Sequence, residues 1–198
     1  LSLLLASGVA SAADFNKGVE AAQSGDFQTA LAEWTPLAEQ GMAMAQFNLG
    51  IMYDFGKGVP ENDKTAVKWY TLAAEQGIAE SQYNLGLMYA AGRGVPENDK
   101  TAVKWFTKAA EQGNAIAQVN LGFMYAAGRG VPENDKTAVK WYNLAAERGN
   151  ARGQTNLGVM YANGRGVPQN DKTAVKWYTK AAEQGYAEGQ YNLGVMYA

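Results

Sequence analysis

The stretch GRGVPENDKT, Gly92 to Thr101, carries the residue types of a phosphate-binding loop. In the pattern G-x-x-x-x-G-K-[ST], Gly94, Lys100 and Thr101 stand at the required spacing, with Asp99 in place of the second glycine. Such a loop works by aiming consecutive backbone N–H groups at the phosphates. Pro96 has no N–H to offer, and Asp99 would set a carboxylate against a polyanion. The preceding residues, YNLGLMYAA, do not read as the strand that a phosphate loop follows. The stretch also recurs, starting at Gly56, Gly92, Gly128 and Gly164, always 36 residues apart. A catalytic loop is seldom needed four times in one chain. A structural connector is needed once per repeat.

Other chemistry is equally restricted. The chain has no cysteine and no histidine, which removes disulfides, thiol chemistry, Cys/His zinc sites and imidazole catalysis. The carboxylates Glu61, Asp63, Glu97 and Asp99 recur with the connector and have cap or turn roles available. One Glu, one Asn and one Asp per PEND segment fall short of the six oxygen ligands calcium takes. The formal net charge of -2 includes no basic patch of the kind that binds nucleic acid. No cofactor is implied, and no acid, base or nucleophile is confined to one unit.

The elements that carry these residues follow from the repeat. Four full units cover 43–78, 79–114, 115–150 and 151–186, a partial fifth covers 187–198, and a shorter unit of the same plan covers 13–42. In the second full unit, helix A is expected from Ala79 to Ala91, ended by Gly92 in the left-handed conformation. Asp99 is expected to cap helix B, which runs from Lys100 to Gln112. On helix A, Ala79, Gln82, Leu85, Gly86 and Tyr89 share one arc, and Gly86 lets the neighbouring helix approach. On helix B, Ala102, Val103, Trp105, Phe106, Ala109 and Ala110 form the buried arc, and Lys100, Lys104, Thr107 and Glu111 face solvent. Trp69, Trp105, Trp141 and Trp177 are therefore read as core, and the lysine rows as a solvated face. One pair cannot bury these arcs alone, so pairs must stack. The fold class is all-α: an α/α superhelical solenoid of antiparallel helix pairs. In the shorter unit, Pro36 is expected to bend the second helix.

The first residues, LSLLLASGVASA, pair an apolar run too short to span a bilayer with an Ala10-Ser11-Ala12 cleavage pattern. Residues 1–12 are read as the remnant of a secretory signal cleaved after Ala12, and the chain as periplasmic or secreted, with no transmembrane segment. At the other end the fifth unit stops before its helix B. The full-length protein is expected to continue, and the uncovered edge offers a route to self-association.

The pattern A-x-x-Q-x-N-L-G-x-M-Y-x-x-G-x-G-V-P-x-N-D-x-x-x-A-V-K-W-[YF]-x-x-A-A-E-[QR]-G resembles the Sel-one-like repeat, a tetratricopeptide-like α-solenoid, over residues 43–198. The resemblance implies an interaction scaffold without activity of its own. Secreted bacterial members are similar to adaptors that regulate envelope enzymes or sensor kinases, or assist host contact. A cysteine-rich branch linked to penicillin binding is not matched here. Cysteine is absent, and neither Ser24 nor Ser81 has a lysine three places on.

By the same resemblance, helix A lines the concave side. The positions that vary between units there are Met44, Glu80, Ile116, Arg152 and Glu188; Phe47, Tyr83, Val119, Thr155 and Tyr191; and Ile51, Leu87, Phe123, Val159 and Val195. Asn48, Asn84, Asn120, Asn156 and Asn192 run beside them. The expected groove therefore includes Asn48, Ile51, Glu80, Tyr83, Asn84, Leu87, Ile116, Asn120, Phe123, Arg152, Asn156 and Val159. Its apolar side chains supply burial and its amides can pair with a peptide backbone. Two roles stand open for the asparagines, ligand binding or bracing of the repeat, and two for the apolar columns, groove or packing between A helices. The expected function is a non-catalytic scaffold or adaptor of the bacterial envelope binding a protein or peptide. A peptidoglycan- or glycan-associated binding module is the alternative.

Overall fold

The computed structural model describes residues 13–198, so the expectations for residues 1–12 lie outside the described residues. Among the described residues the chain forms eleven helices and no strand. They are α1 (Phe15–Gln23), α2 (Phe27–Glu39), α3 (Ala43–Asp54), α4 (Asp63–Glu75), α5 (Ala79–Ala91), α6 (Asp99–Glu111), α7 (Ala115–Ala127), α8 (Asp135–Glu147), α9 (Ala151–Asn163), α10 (Asp171–Glu183) and α11 (Ala187–Tyr197). Odd-numbered helices are A helices and even-numbered ones are B helices. None of them is long and apolar enough to cross a membrane. Helix α2 runs through Pro36 without a break.

Helix A ends as its sequence demands. Gly92 sits at φ 66°, ψ 27°, where its N–H closes on Met88. Helix B starts one residue earlier than expected. Asn98, not Asp99, is the cap, and its side chain accepts the Thr101 N–H at 2.9 Å. Asn62, Asn134 and Asn170 do the same for Thr65, Thr137 and Thr173. Asp99 is instead the first helical residue, where a carboxylate suits the helix dipole, and it is held by the next unit. Arg129 grips it in a two-point bond, Nε to Oδ2 at 3.0 Å and Nη2 to Oδ1 at 2.8 Å. Arg165 repeats the grip on Asp135, at 3.1 and 2.7 Å. Arg93 bonds Asp63 and also the buried Asp54, at 2.7 Å, which in turn accepts from the Tyr70 hydroxyl at 3.1 Å. The connector glycine beside each arginine sits against the same helix start. A Cβ on Gly94 would lie 2.5 Å from the Asp63 carbonyl.

Burial joins each B helix to the A helix of the following unit. Ala66, Val67, Tyr70 and Ala74 of α4 close on Leu85 and Met88 of α5. Within a unit the contact is tight at one point: Gly86 faces the Phe106 ring, and a Cβ there would stand 2.6 Å from ring atoms. The expected role of Gly86 is therefore what the structure shows. The tryptophans depart from expectation, being half-buried rather than core. Trp105 stands at the edge of its helix's apolar arc, so it reaches back over the Tyr70–Leu85 cluster, which its own A helix forms with the B helix before it. Its other face is open to Lys108, whose amine lies 4.7 Å from the ring centroid. Trp177 and Lys180 repeat this at 4.8 Å. Phe106 or tyrosine, one residue on, fills the core instead.

Curvature follows from unequal spacing. Helix α3 meets α5, α7 meets α9 and α9 meets α11, whereas among the described residues no two B helices meet as closely. The A helices therefore lie on the inside of the curve, and the exposed lysines of the B helices lie outside.

Candidate functional site: a concave groove of A helices

Three clefts mark the inner face, each between successive A helices. One of about 190 Å³ is lined by Leu87, Asn120, Phe123 and Arg152 among others. The next, of about 210 Å³, has Phe123, Asn156, Val159 and Arg165 on its walls. The largest, about 320 Å³, lies between α1 and α3, with Val19, Phe27, Trp34, Asn48, Ile51 and Lys57 around it. Helical geometry brings these groups together, because an asparagine and the residue three places on share a face. One unit supplies the asparagine and an apolar wall, and the preceding A helix supplies the facing wall.

Two of the three variable columns reach the groove. In the first, Met44 and Ile116 are 45% and 50% exposed, and Glu80, Arg152 and Glu188 are exposed beside them. In the third, Leu87 and Phe123 are 38% and 44% exposed, while Ile51 and Val159 are half-buried. So many exposed large apolar side chains along one face are what an interaction surface presents.

The remaining column lies in the joints between helices. Val119 and Thr155 are buried, and the Thr155 hydroxyl donates to the Ala151 carbonyl at 3.0 Å. Phe47 packs on Tyr70 with centroids 6.2 Å apart, and Tyr83 packs on Phe106 at 6.0 Å. Tyr83 is thus half-buried joint material with one edge toward the groove. Burial raises its hydroxyl pKa, with the Asn120 amide and Arg152 acting the other way. The ring contacts of Phe47 and Tyr83, like the clustering of Val119 with Ala138 and Tyr142, are made with the helix's own B partner, so this column turns mainly into the pair and away from the groove.

The asparagines face the clefts and also neighbour the packed tyrosines. Asn48, Asn120 and Asn156 line the clefts. Asn84 and Asn120 also lie beside the hydroxyls of Tyr70 and Tyr83. Burial, with Asp54 next to it, pushes the Tyr70 hydroxyl far above its ordinary pKa. Burial also carries Tyr142 up to about 12.

Sequence reasoning did not anticipate Asp54, Arg93, Lys57, Phe27 or Phe55. A signal for the arginines existed: each connector arginine follows an aspartate by 30 residues.

The Sel1 repeat family model matches residues 43–78, 79–114, 115–150, 151–186 and 187–198. Among solved structures, the chain is similar to a Sel1 repeat protein from Oxalobacter formigenes, at 38% identity and a TM-score of 0.88, over 93% of this chain and 76% of that one. It is similar to a protective antigen present in uropathogenic Escherichia coli strains and displaying an SLR fold, at 36% identity and a TM-score of 0.88. That likeness covers 92% of this chain but 40% of the antigen. It is also similar to Helicobacter pylori cysteine rich protein B, at 25% identity and a TM-score of 0.55, over 67% of this chain and 96% of that one. No curated protein matches the chain.

Proposed function

This chain belongs to the Sel1 repeat family, whose members generally act as protein–protein interaction modules, and we propose that it is an adaptor holding a peptide or partner-protein segment along its concave groove. The observation that carries this reading is the line of exposed apolar side chains, Met44, Leu87, Ile116 and Phe123, on the same face as the asparagine-lined clefts. Burying them against a partner removes apolar area at roughly 25 cal/mol per Å². The amides then pair with the partner's backbone groups, which would otherwise be left unsatisfied. The chain acts by holding and not by catalysis, as is typical of this fold. The segment Leu1–Ala12, with its apolar run and small-residue cleavage pattern, supports a periplasmic or secreted location in the bacterial envelope.

The test is a double substitution, Leu87→Asp with Phe123→Asp, followed by crosslinking capture from an envelope extract. Both side chains are already partly in water, so the circular-dichroism spectrum stays helical while partner capture is lost. Loss of helical signal would make these columns core and defeat the reading, as would unchanged capture.

A further inference from the structure

The first joint of the array departs from the others at three positions, and two of them, Phe27 and Lys57, border the largest of the three clefts. Where Asp63, Asp99 and Asp135 begin their B helices, Phe27 begins α2. Where Arg93, Arg129 and Arg165 hold those aspartates, the connector carries Lys57. Where Ala91, Ala127 and Asn163 end their A helices, Phe55 stands, 63% exposed. Register alone would direct Lys57 onto the first residue of α2, as the arginines are directed in later units. It meets a ring there instead. Its amine lies 5.9 Å from the centroids of both Phe27 and Phe55. Among the described residues, no carboxylate approaches it within 4 Å.

Resting on the groove reading above, we propose that the cleft between α1 and α3 is the anchor site of the partner, taking a bulky apolar side chain with a carboxylate next to it. Val19, Phe27, Trp34, Ile51 and Met52 make an apolar and aromatic wall around about 320 Å³. Aromatic anchors in such clefts dominate peptide affinity. Lys57 lies at the rim, where every other joint spends its cation on an internal aspartate. A cation without an acid beside an apolar wall selects an anion attached to an apolar group. Its bond to that anion is charge-assisted and shielded by two rings. Arg152, which lines a cleft further along the groove, also has no carboxylate within 4 Å among the described residues. The same acidic and apolar segment therefore finds a second complementary charge downstream. The chain as a whole carries -2, so the selection is local to the groove.

The experiment selects binders for the 198-residue chain from a random linear peptide library on phage, then measures them by fluorescence anisotropy. Selected peptides should combine Phe, Leu or Trp with an adjacent Asp or Glu. Lys57→Gln, on an exposed side chain, should weaken them several-fold, and Lys57→Glu about tenfold or more. Phe27→Asp supplies the acid that later joints possess, so it should also weaken them, with circular dichroism confirming the helices. Peptides that lose binding in the Leu87→Asp, Phe123→Asp protein yet ignore Lys57→Glu and carry no acidic bias would overturn the anchor site and leave the groove reading standing. A library that yields no groove binder at all overturns both.

Discussion

Gln112 donates from Nε2 to Oε1 of Gln82 across 2.8 Å, tying the end of one B helix to the buried start of its own A helix. Gln76 makes the same bond to Gln46, and Gln184 to Gln154. In the third unit Arg148 occupies the donor's place. The Gln118 side chain still donates to the Ala110 carbonyl at 3.0 Å, but its buried Oε1 has no partner. A buried acceptor left unpaired costs about 1–3 kcal/mol. Arg148→Gln should recover about 1 kcal/mol of that, read as a higher urea midpoint at unchanged slope. A lower midpoint would mean that the arginine holds something more valuable than the missing bond.

Gly86 and Gly194 occupy the same position in two units but face different surroundings. A Cβ on Gly86 meets the Phe106 ring at 2.6 Å, whereas one on Gly194 meets nothing within 4 Å. Gly86→Ala should therefore lower stability by about 1–2 kcal/mol, because overpacking outweighs the helix propensity gained. Gly194→Ala keeps the propensity alone and should raise the helicity of α11. Equal effects from the two substitutions would refute the close approach of α5 to α6.

Alkaline pH offers a third check. The Tyr142 hydroxyl titrates near 10 when exposed and is carried up to about 12 by burial in the folded chain. Its folded pKa is raised, so the folded state holds the proton more tightly than the unfolded state does. The contribution is intact below pH 10 and is lost as pH rises toward 12. At about 1.4 kcal/mol per pKa unit, the loss approaches 2–3 kcal/mol. Tyr142→Phe should flatten the fall in stability over that window relative to the parent, measured by urea unfolding at each pH. Tyr70 is raised further still and titrates above this range. A parent and variant that fall in parallel would show Tyr142 to be ordinary.

The 36-residue period made the architecture readable before any coordinates. Helix ends could be placed because glycine and asparagine have local reasons to be there. What failed were decisions that depend on packing beyond one helix. Asn98 and Asp99 are both good caps, and with Asn98 in that role Asp99 is left to meet Arg129 from 30 residues away. Trp105 is apolar, so its own helix places it in the core, yet it covers the seam between its partner α5 and the preceding α4. Val119 and Thr155 vary between units as a groove column does, yet both are buried, Val119 among Ala138, Tyr142 and Ala145 of its own partner helix. Within the groove, the columns of Met44 and Ile51 were readable because variation on an exposed face needs no knowledge of packing. Lys57 was not, since its meaning lies in what Phe27 replaces.

The joint formed by Arg129 and Asp99 has a consequence for how such a chain can grow. Each of the units 79–114, 115–150 and 151–186 carries its aspartate and asparagine cap near the start of helix B and its arginine and connector glycine near the end of helix A. One copy thus presents a socket to the copy after it and a plug to the copy before. A unit duplicated in tandem arrives with both halves of a working joint, and the two new seams it creates need no compensating substitution. Lengthening the array then costs only the ordering of one more pair, which its own interface offsets. Where plug or socket meets something other than a copy, the sequence has to change, and Phe27 with Lys57 is such a place.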